Sequence, residues 1–208
     1  MTHGVRPALL VATTNSGKLR EISELLGGVG VELVTLADLP PIDAPEETGT
    51  TFEENARLKA TFYSIHTGHL TVAEDSGLVI DALGGAPGVH SARYLRPAAP
   101  YPERFDEIYR QLEQHPWAGR AARFVCALAV AAGNAVVFET TGTVEGEIAA
   151  SPRGAAGFGY DPIFLFPPYQ RTLAEVTRDE KLAVAHRGKA FRDLARWLRA
   201  RSTDTATP

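Results

Sequence analysis

Cysteine is the scarcest chemistry in this sequence: Cys126 is the only one among 208 residues, which excludes an intramolecular disulfide. It lies in the apolar run Phe124-Val125-Cys126-Ala127-Leu128, where a buried strand thiol is the default expectation. No apolar stretch is long enough to cross a bilayer. No secretory leader is expected either, because the run from Leu9 to Ala12 is too short for one and leads straight into polar residues. A cytoplasmic location and no membrane partner are therefore expected. Positive charge is also lacking: a formal net charge of -4 argues against long nucleic acid as a partner, while leaving room for a small polyanion held by a few lysines. Repeats and low-complexity segments are absent.

What is present reads as an ordinary globular chain, 44% hydrophobic and 22% charged, long enough for one large domain or two small lobes. Ala8-Leu9-Leu10-Val11-Ala12 has the continuous apolar character of a buried strand. Leu19, Ile22, Leu25 and Leu26 then recur at helical spacing, with Arg20, Glu21 and Glu24 on the other face. The intervening Thr13-Thr14-Asn15-Ser16-Gly17-Lys18 thus forms a strand-to-helix turn. Free N–H groups and the helix dipole favour an anion there; Gly17 permits close approach and Lys18 adds a point charge. An ordinary N-cap made by Thr14, Asn15 or Ser16 explains the same residues equally well. The hexapeptide does not match the P-loop pattern G-x-x-x-x-G-K-S/T.

Further along, Val31 to Val34 reads as a second strand, and residues 38–49 hold three prolines that forbid regular structure, together with Glu46 and Glu47. Thr50 or Thr51 can cap a helix whose first turn carries Glu53 and Glu54; on it Asn55 and Lys59 share a face. Leu70 to Ala73 reads as a short strand ending at Glu74-Asp75-Ser76-Gly77. Adjacent carboxylates there suit a hard cation such as Mg²⁺, or simply a capped turn. Phe105, Ile108, Tyr109 and Leu112 mark an amphipathic helix. Residues 121–132 and 135–148 read as two strands joined by the Gly133-Asn134 turn, hence an antiparallel hairpin whose apolar side chains serve core or dimer surface. Glycines flank Phe158 in the loop 151–162 and present an aromatic face that could stack on a base or lie on a mobile loop. Ile163 to Phe166 returns as a strand. Residues 177–199 are predicted helical, with Phe191, Leu194 and Leu198 inward and Lys181, His186, Arg187 and Lys189 on them.

The order of these blocks resembles the inosine triphosphate pyrophosphatase family. The matching segments are T-T-N-S-G-K at 13–18, E-E-T-G-T-T-F-E-E-N-A-R-L-K-A at 46–60, E-D-S-G-L at 74–78 and G-G-A-P-G-V-H-S-A-R-Y at 84–94. G-F-G-Y-D-P at 157–162, T-R-D-E-K at 177–181 and H-R-G-K at 186–189 complete the series. Each is weak alone; the series in order is specific. The resemblance implies an elongated two-lobed α/β fold with a long central mixed sheet flanked by helices and a cleft between the lobes. It also implies one such domain over 1–201, with a disordered tail over 202–208, and a homodimer.

The activity implied is Mg²⁺-dependent hydrolysis of nonstandard purine nucleoside triphosphates (ITP, dITP, XTP) to the monophosphate and pyrophosphate. The alternatives are a pyrophosphatase for modified pyrimidine nucleotides and a nucleotide-binding module without catalysis. Residue by residue, the resemblance implies that Thr13, Asn15, Lys18 and Lys59 hold the triphosphate and that Thr14, Ser16, Gly17 and Ser76 also bind substrate. Asp75, with Glu46 or Glu47, would hold Mg²⁺ and serve as base toward water. Phe158 and Gly159 would face the purine, with Tyr160, Asp161, Lys181, His186 and Arg187 around its edges. Two positions depart from the common pattern: Glu74 stands where many members have Asp, and Ala185 where many have Ser, which removes one hydrogen bond near the base.

Overall fold

The computed structural model describes residues 7–204. The first strand, β1 (Ala8–Val11), leads into helix α1 (Ser16–Leu25), and β2 (Glu32–Thr35) follows. Helix α2 (Phe52–Thr67) precedes β3 (Leu70–Ile80), and α3 (Tyr101–Glu113) precedes the long strands β4 (Ala121–Ala132) and β5 (Ala135–Ile148). Two short strands, β6 (Phe164–Phe166) and β7 (Arg171–Thr172), are followed by α4 (Arg178–Val184) and α5 (His186–Asp204).

The seven strands form one sheet in the order β2-β1-β3-β4-β5-β6-β7. β1 runs parallel to both β2 and β3, while β6 is antiparallel to β5 and β7, so the sheet is mixed and the fold is α/β. The two-residue Gly133-Asn134 connection makes β4 and β5 an antiparallel pair, since parallel neighbours need a longer crossover. Register positions the chemistry. Val11 lies opposite Val72, and the Ala12 amide donates to the Val72 carbonyl at 2.9 Å, so the turn after β1 begins level with the residues that precede Glu74 and Asp75.

The chain divides into two units. One comprises the described residues up to Asp75, Cys126–Gly142 and those from Arg187 onward; the other comprises Ser76–Val125 and Thr143–His186. Each has its own core. In the first, Leu9, Val11 and Val72 from the sheet pack with Ile22 and Leu26 of α1 and with Phe191, Leu194 and Leu198 of α5. In the second, Leu78, Ile80, Phe105, Ile108, Leu112, Phe124, Phe164 and Leu173 cluster. Burying one such side chain contributes about 1.5–3 kcal/mol, more than helix propensity offers per residue, so α1, α3 and α5 are held by their apolar stripes.

Four local expectations are corrected. β3 runs unbroken from Leu70 to Ile80, so Glu74-Asp75-Ser76-Gly77 is strand rather than a turn at a strand end. The predicted helix over 177–199 is two helices, because Ala185 takes an extended backbone (φ -68, ψ 156). α5 continues through Ser202 and Thr203 to Asp204, as no proline or glycine interrupts it there, so 202–204 are helix where a tail is expected; residues 205–208 lie outside those described. Glu21, expected on the outer face of α1, is buried. Among the described residues no helix is long and apolar enough to cross a membrane.

Candidate active site

The turn 13–18 adopts the cap that its sequence allows. Asn15 is the N-cap of α1, its Oδ1 accepting the Lys18 amide at 3.0 Å, while Thr13 Oγ1 accepts the Asn15 amide at 3.2 Å. Thr14, Asn15 and Ser16 are exposed and Gly17 is buried. The Lys18 ammonium reaches Glu74 Oε1 at 3.3 Å and keeps part of its surface open to solvent.

Successive side chains of a strand point to opposite faces. Glu74 and Asp75, adjacent on β3, accordingly have separate partners, which corrects the picture of a joint acidic pair. Glu74 accepts the Arg187 guanidinium at 2.9 Å (Nε) and the Cys126 thiol at 2.7 Å. Arg187 Nη1 also donates to Glu21 at 2.6 Å. Burial opposes ionisation of Glu74, yet the charges of Arg187 and Lys18 prevail and hold its carboxyl far below the usual range. The Cys126 thiol moves the other way: burial first, then the Glu74 charge, push it well above its ordinary value despite Arg187. A thiol so buried should resist Ellman's reagent in the folded protein and react only in denaturant; stoichiometric labelling of native protein would contradict this environment.

Asp75 faces a different group. Its Oδ1 lies 3.2 Å from the Lys59 ammonium, which also contacts Glu47 Oε1 at 2.6 Å. Its Oδ2 accepts Nδ2 of Asn55 at 3.1 Å, and Asn55 Oδ1 accepts the Gly49 amide at 2.8 Å. Asn55 is fully buried on the α2 face it shares with Lys59, so one side chain fixes both Asp75 and the loop that carries Glu47. Gly49 has no room for a side chain, since a Cβ would stand 2.6 Å from Asn55 Oδ1. α2 holds this face steady through its capping box: Thr51 Oγ1 accepts the Glu54 amide at 3.1 Å and Glu54 caps the Thr51 amide at 3.2 Å. Burial raises the Asp75 carboxyl above its ordinary value; Lys59 opposes this and the Glu47 charge adds to it.

The donor chemistry fits a hard divalent cation. Two carboxylates, Asp75 and Glu47, already share one positive charge, that of Lys59, whereas Glu46 is exposed. Among the described residues no group of three or more His, Cys, Asp or Glu side chains is placed to hold a metal ion. Such a set suits an ion that takes its remaining oxygens from phosphates and water.

In the second unit, the loop around Phe158 is built on Asp161. Its Oδ2 accepts the Phe158 amide at 2.8 Å and the Lys181 ammonium at 2.6 Å. The same ammonium sits 4.7 Å from the centroid of the Phe158 ring, a cation–π contact on one ring face. Gly157 is required here: its φ is +75, and a Cβ would fall 2.1 Å from Asp161 Oδ2. Gly159 next to Phe158 is also left-handed. Tyr160 is turned into the core, its hydroxyl donating to the Ser91 carbonyl at 2.9 Å, and burial pushes that hydroxyl up to about 12. The His186 ring stacks on Phe124 at 4.9 Å. Ser76 is half-buried on β3 beside Asp75.

The structure thus brings Lys18 into one group with Glu74 and Arg187, Lys59 into another with Asp75 and Glu47, and Lys181 into a third with Asp161 and Phe158. Asn55, Glu21 and Cys126 were not read as site residues; only the Asn55–Lys59 spacing on α2 offered a signal.

The Ham1 family profile matches residues 9–197. A curated relative from an Exiguobacterium strain, named dITP/XTP pyrophosphatase, is 48% identical over 189 residues, covering 89% of this chain and 94% of its own. A HAM1 protein from Coxiella burnetii has a solved structure that superposes with a TM-score of 0.85 at 41% identity, over 92% of this chain and 98% of that one. A structure of a nucleoside-triphosphatase, dITP/XTP pyrophosphatase, from Mycobacterium abscessus gives 0.74 at 43% identity, over 90% and 97%. With the blocks at 13–18, 46–60, 74–78, 157–162 and 186–189 all inside the matched span, this chain belongs to the Ham1 family.

Proposed function

We propose that this chain hydrolyses nonstandard purine nucleoside triphosphates (ITP, dITP and XTP) to the monophosphate and pyrophosphate. Relatives named dITP/XTP pyrophosphatase support the substrate class. The observation that carries the reading is the buried Asp75 carboxylate, held between Asn55 and a lysine that also contacts Glu47.

A carboxylate raised by burial is a stronger base than an exposed one, and Asn55 fixes its orientation, so Asp75 suits removal of a proton from the attacking water. Lys18, Lys59 and the turn 13–18 supply positive charge and N–H donors for phosphate oxygens. Asp75 and Glu47 would hold Mg²⁺, which when bound offsets negative charge on the phosphates and the leaving pyrophosphate. Glu47 is favoured over Glu46 because it is the one beside Lys59. Phe158, whose ring lies beside Lys181, would stack on the purine, with His186 among the donors for a 6-keto group. Adenine would leave such donors unpaired, which discriminates strongly against it. The reading includes a homodimer working in the cytoplasm.

The test is a rate panel of ITP, dITP, XTP, dGTP, dATP and modified pyrimidine triphosphates, with and without Mg²⁺. Preference for the first three, dependent on the metal, is expected. No turnover of any of them would overturn the reading.

A further inference from the structure

We infer that Asn55 is a positioning residue that sets the cation preference of the site. By tying the loop of Glu47 to Asp75 it holds the two carboxylates in one relation, which favours Mg²⁺ over Ca²⁺. This rests on the reading that Asp75 and Glu47 hold the metal. Among the described residues, those from Leu39 to Thr51 form no helix or strand, so the place of Glu47 depends on tethers from elsewhere. Two of them come from α2: the Thr50 amide donates to Glu54 at 2.7 Å, and the Gly49 amide donates to Asn55 Oδ1 at 2.8 Å. The second tether continues to the reacting group. Asn55 Nδ2 donates to Asp75 Oδ2 at 3.1 Å and approaches the Gly49 carbonyl at 3.5 Å. Glu47 stands two residues before Gly49, a reach of about 7 Å at most, so what fixes Gly49 also confines Glu47.

The Asn55 amide has one workable orientation. Turned over, it would set Oδ1 against the Asp75 carboxylate and its NH₂ against the Gly49 N–H. The side chain is also fully buried, so a bond lost here is not replaced by bulk water. Asparagine is a poor helix former, and these bonds rather than the helix explain its place in α2. Gly49 completes the link from the loop side. A Cβ there would stand 2.6 Å from Asn55 Oδ1 and 2.7 Å from Glu54 Cβ, so a larger residue pushes the loop away. The consequence lies in the cation. Mg²⁺ is small and demands near-ideal geometry, whereas Ca²⁺ takes longer bonds in flexible arrangements. Carboxylates kept in a fixed relation suit the stricter ion; carboxylates allowed to part suit the larger one.

The test reads binding rather than turnover. Mn²⁺ on the nucleotide-free protein, followed by water-proton relaxation, is displaced by Mg²⁺ and by Ca²⁺, and the ratio of their dissociation constants gives the preference. In Asn55→Ala the preference for Mg²⁺ over Ca²⁺ should fall about fivefold, as for loss of one hydrogen bond. Gly49→Ala, which disturbs the same link from the loop, should shift it in the same direction. Leu194→Ala removes a core side chain of the same unit and lowers stability without touching the link, so its ratio should stay within about twofold of wild type. A ratio unmoved in Asn55→Ala, or an equal fall in Leu194→Ala, would overturn the inference. If Asn55→Ala does not fold, Gly49→Ala decides: a fall supports the inference and an unmoved ratio ends it. Asp75→Asn keeps the functional reading separate. Should wild type bind no Mn²⁺, or Asp75→Asn bind it equally well, the reading that Asp75 holds the metal fails. Loss of the Mn²⁺ site in Asp75→Asn, with an unmoved ratio in the Asn55 and Gly49 variants, fails only this inference.

Discussion

Asp75→Asn is expected to lose hydrolysis by about 10²–10⁴-fold, the usual range for removing a positioned general base, and at the same time to raise the thermal midpoint at pH 7. The two effects share one cause. Burial, opposed by Lys59 and aided by Glu47, lifts the folded-state carboxyl above its unfolded value. The folded chain therefore binds the proton more tightly than the unfolded chain does. Stability falls as pH rises through the unfolded and then the folded value, so at pH 7 the ionised carboxylate carries its full cost. An amide of the same shape carries none. Its oxygen can still accept from Asn55, and Lys59 keeps Glu47 at 2.6 Å. Melts of both proteins at pH 7 and again below the ordinary carboxylate range check this, because the gap should narrow at acid pH where both chains are neutral at position 75. A lowered midpoint at pH 7, or turnover at the wild-type rate, would contradict the role assigned to Asp75.

Lys181→Met is expected to destabilise the fold by about 3–5 kcal/mol, the range for breaking a buried pair from one side. Lys181 and Asp161 meet at 2.6 Å with side chains 7% and 4% exposed, so removing the cation strands a carboxylate that also holds the Phe158 amide. The loop with its left-handed Gly157 and Gly159 would lose its anchor. Substituting both members, Lys181→Met/Asp161→Asn, removes the stranded charge, and much of the lost stability should return. Urea unfolding of the single and double variants measures this. A single-variant loss below about 1 kcal/mol would mean that the pair behaves as an exposed one.

Much of the architecture was legible because short-range rules govern it. Apolar spacing marked α1 and α3, and Gly133-Asn134 placed the hairpin of β4 and β5. The capping residues at Thr51 and Glu54 behave as their pattern predicts. What was not legible depends on partners distant in sequence. Glu74-Asp75-Ser76-Gly77 looks like a turn, yet it continues as strand because its acids find Arg187, Lys18 and Lys59. Glu21 looks solvent-facing because its partner lies 166 residues away, on α5. Asn55 carries no local signal for its contact with Asp75, which joins α2 to β3. At the candidate site, the turn carrying Lys18 and the adjacent acids at 74 and 75 have a signal of their own, whereas the role of Lys59 and that of Asp75 as base come only through the resemblance; the structure gives the two acids separate partners. Glu46 and Glu47 could not be told apart in sequence; exposure and the Lys59 contact separate them.

The central claim is that the phosphate chain is cut between its α and β phosphorus atoms. Phosphorus NMR of dITP with the wild-type protein and Mg²⁺ tests it most directly. The account predicts dIMP and pyrophosphate rising in equal amounts, with no dIDP. Formation of dIDP with orthophosphate, or a spectrum that does not change, would contradict it.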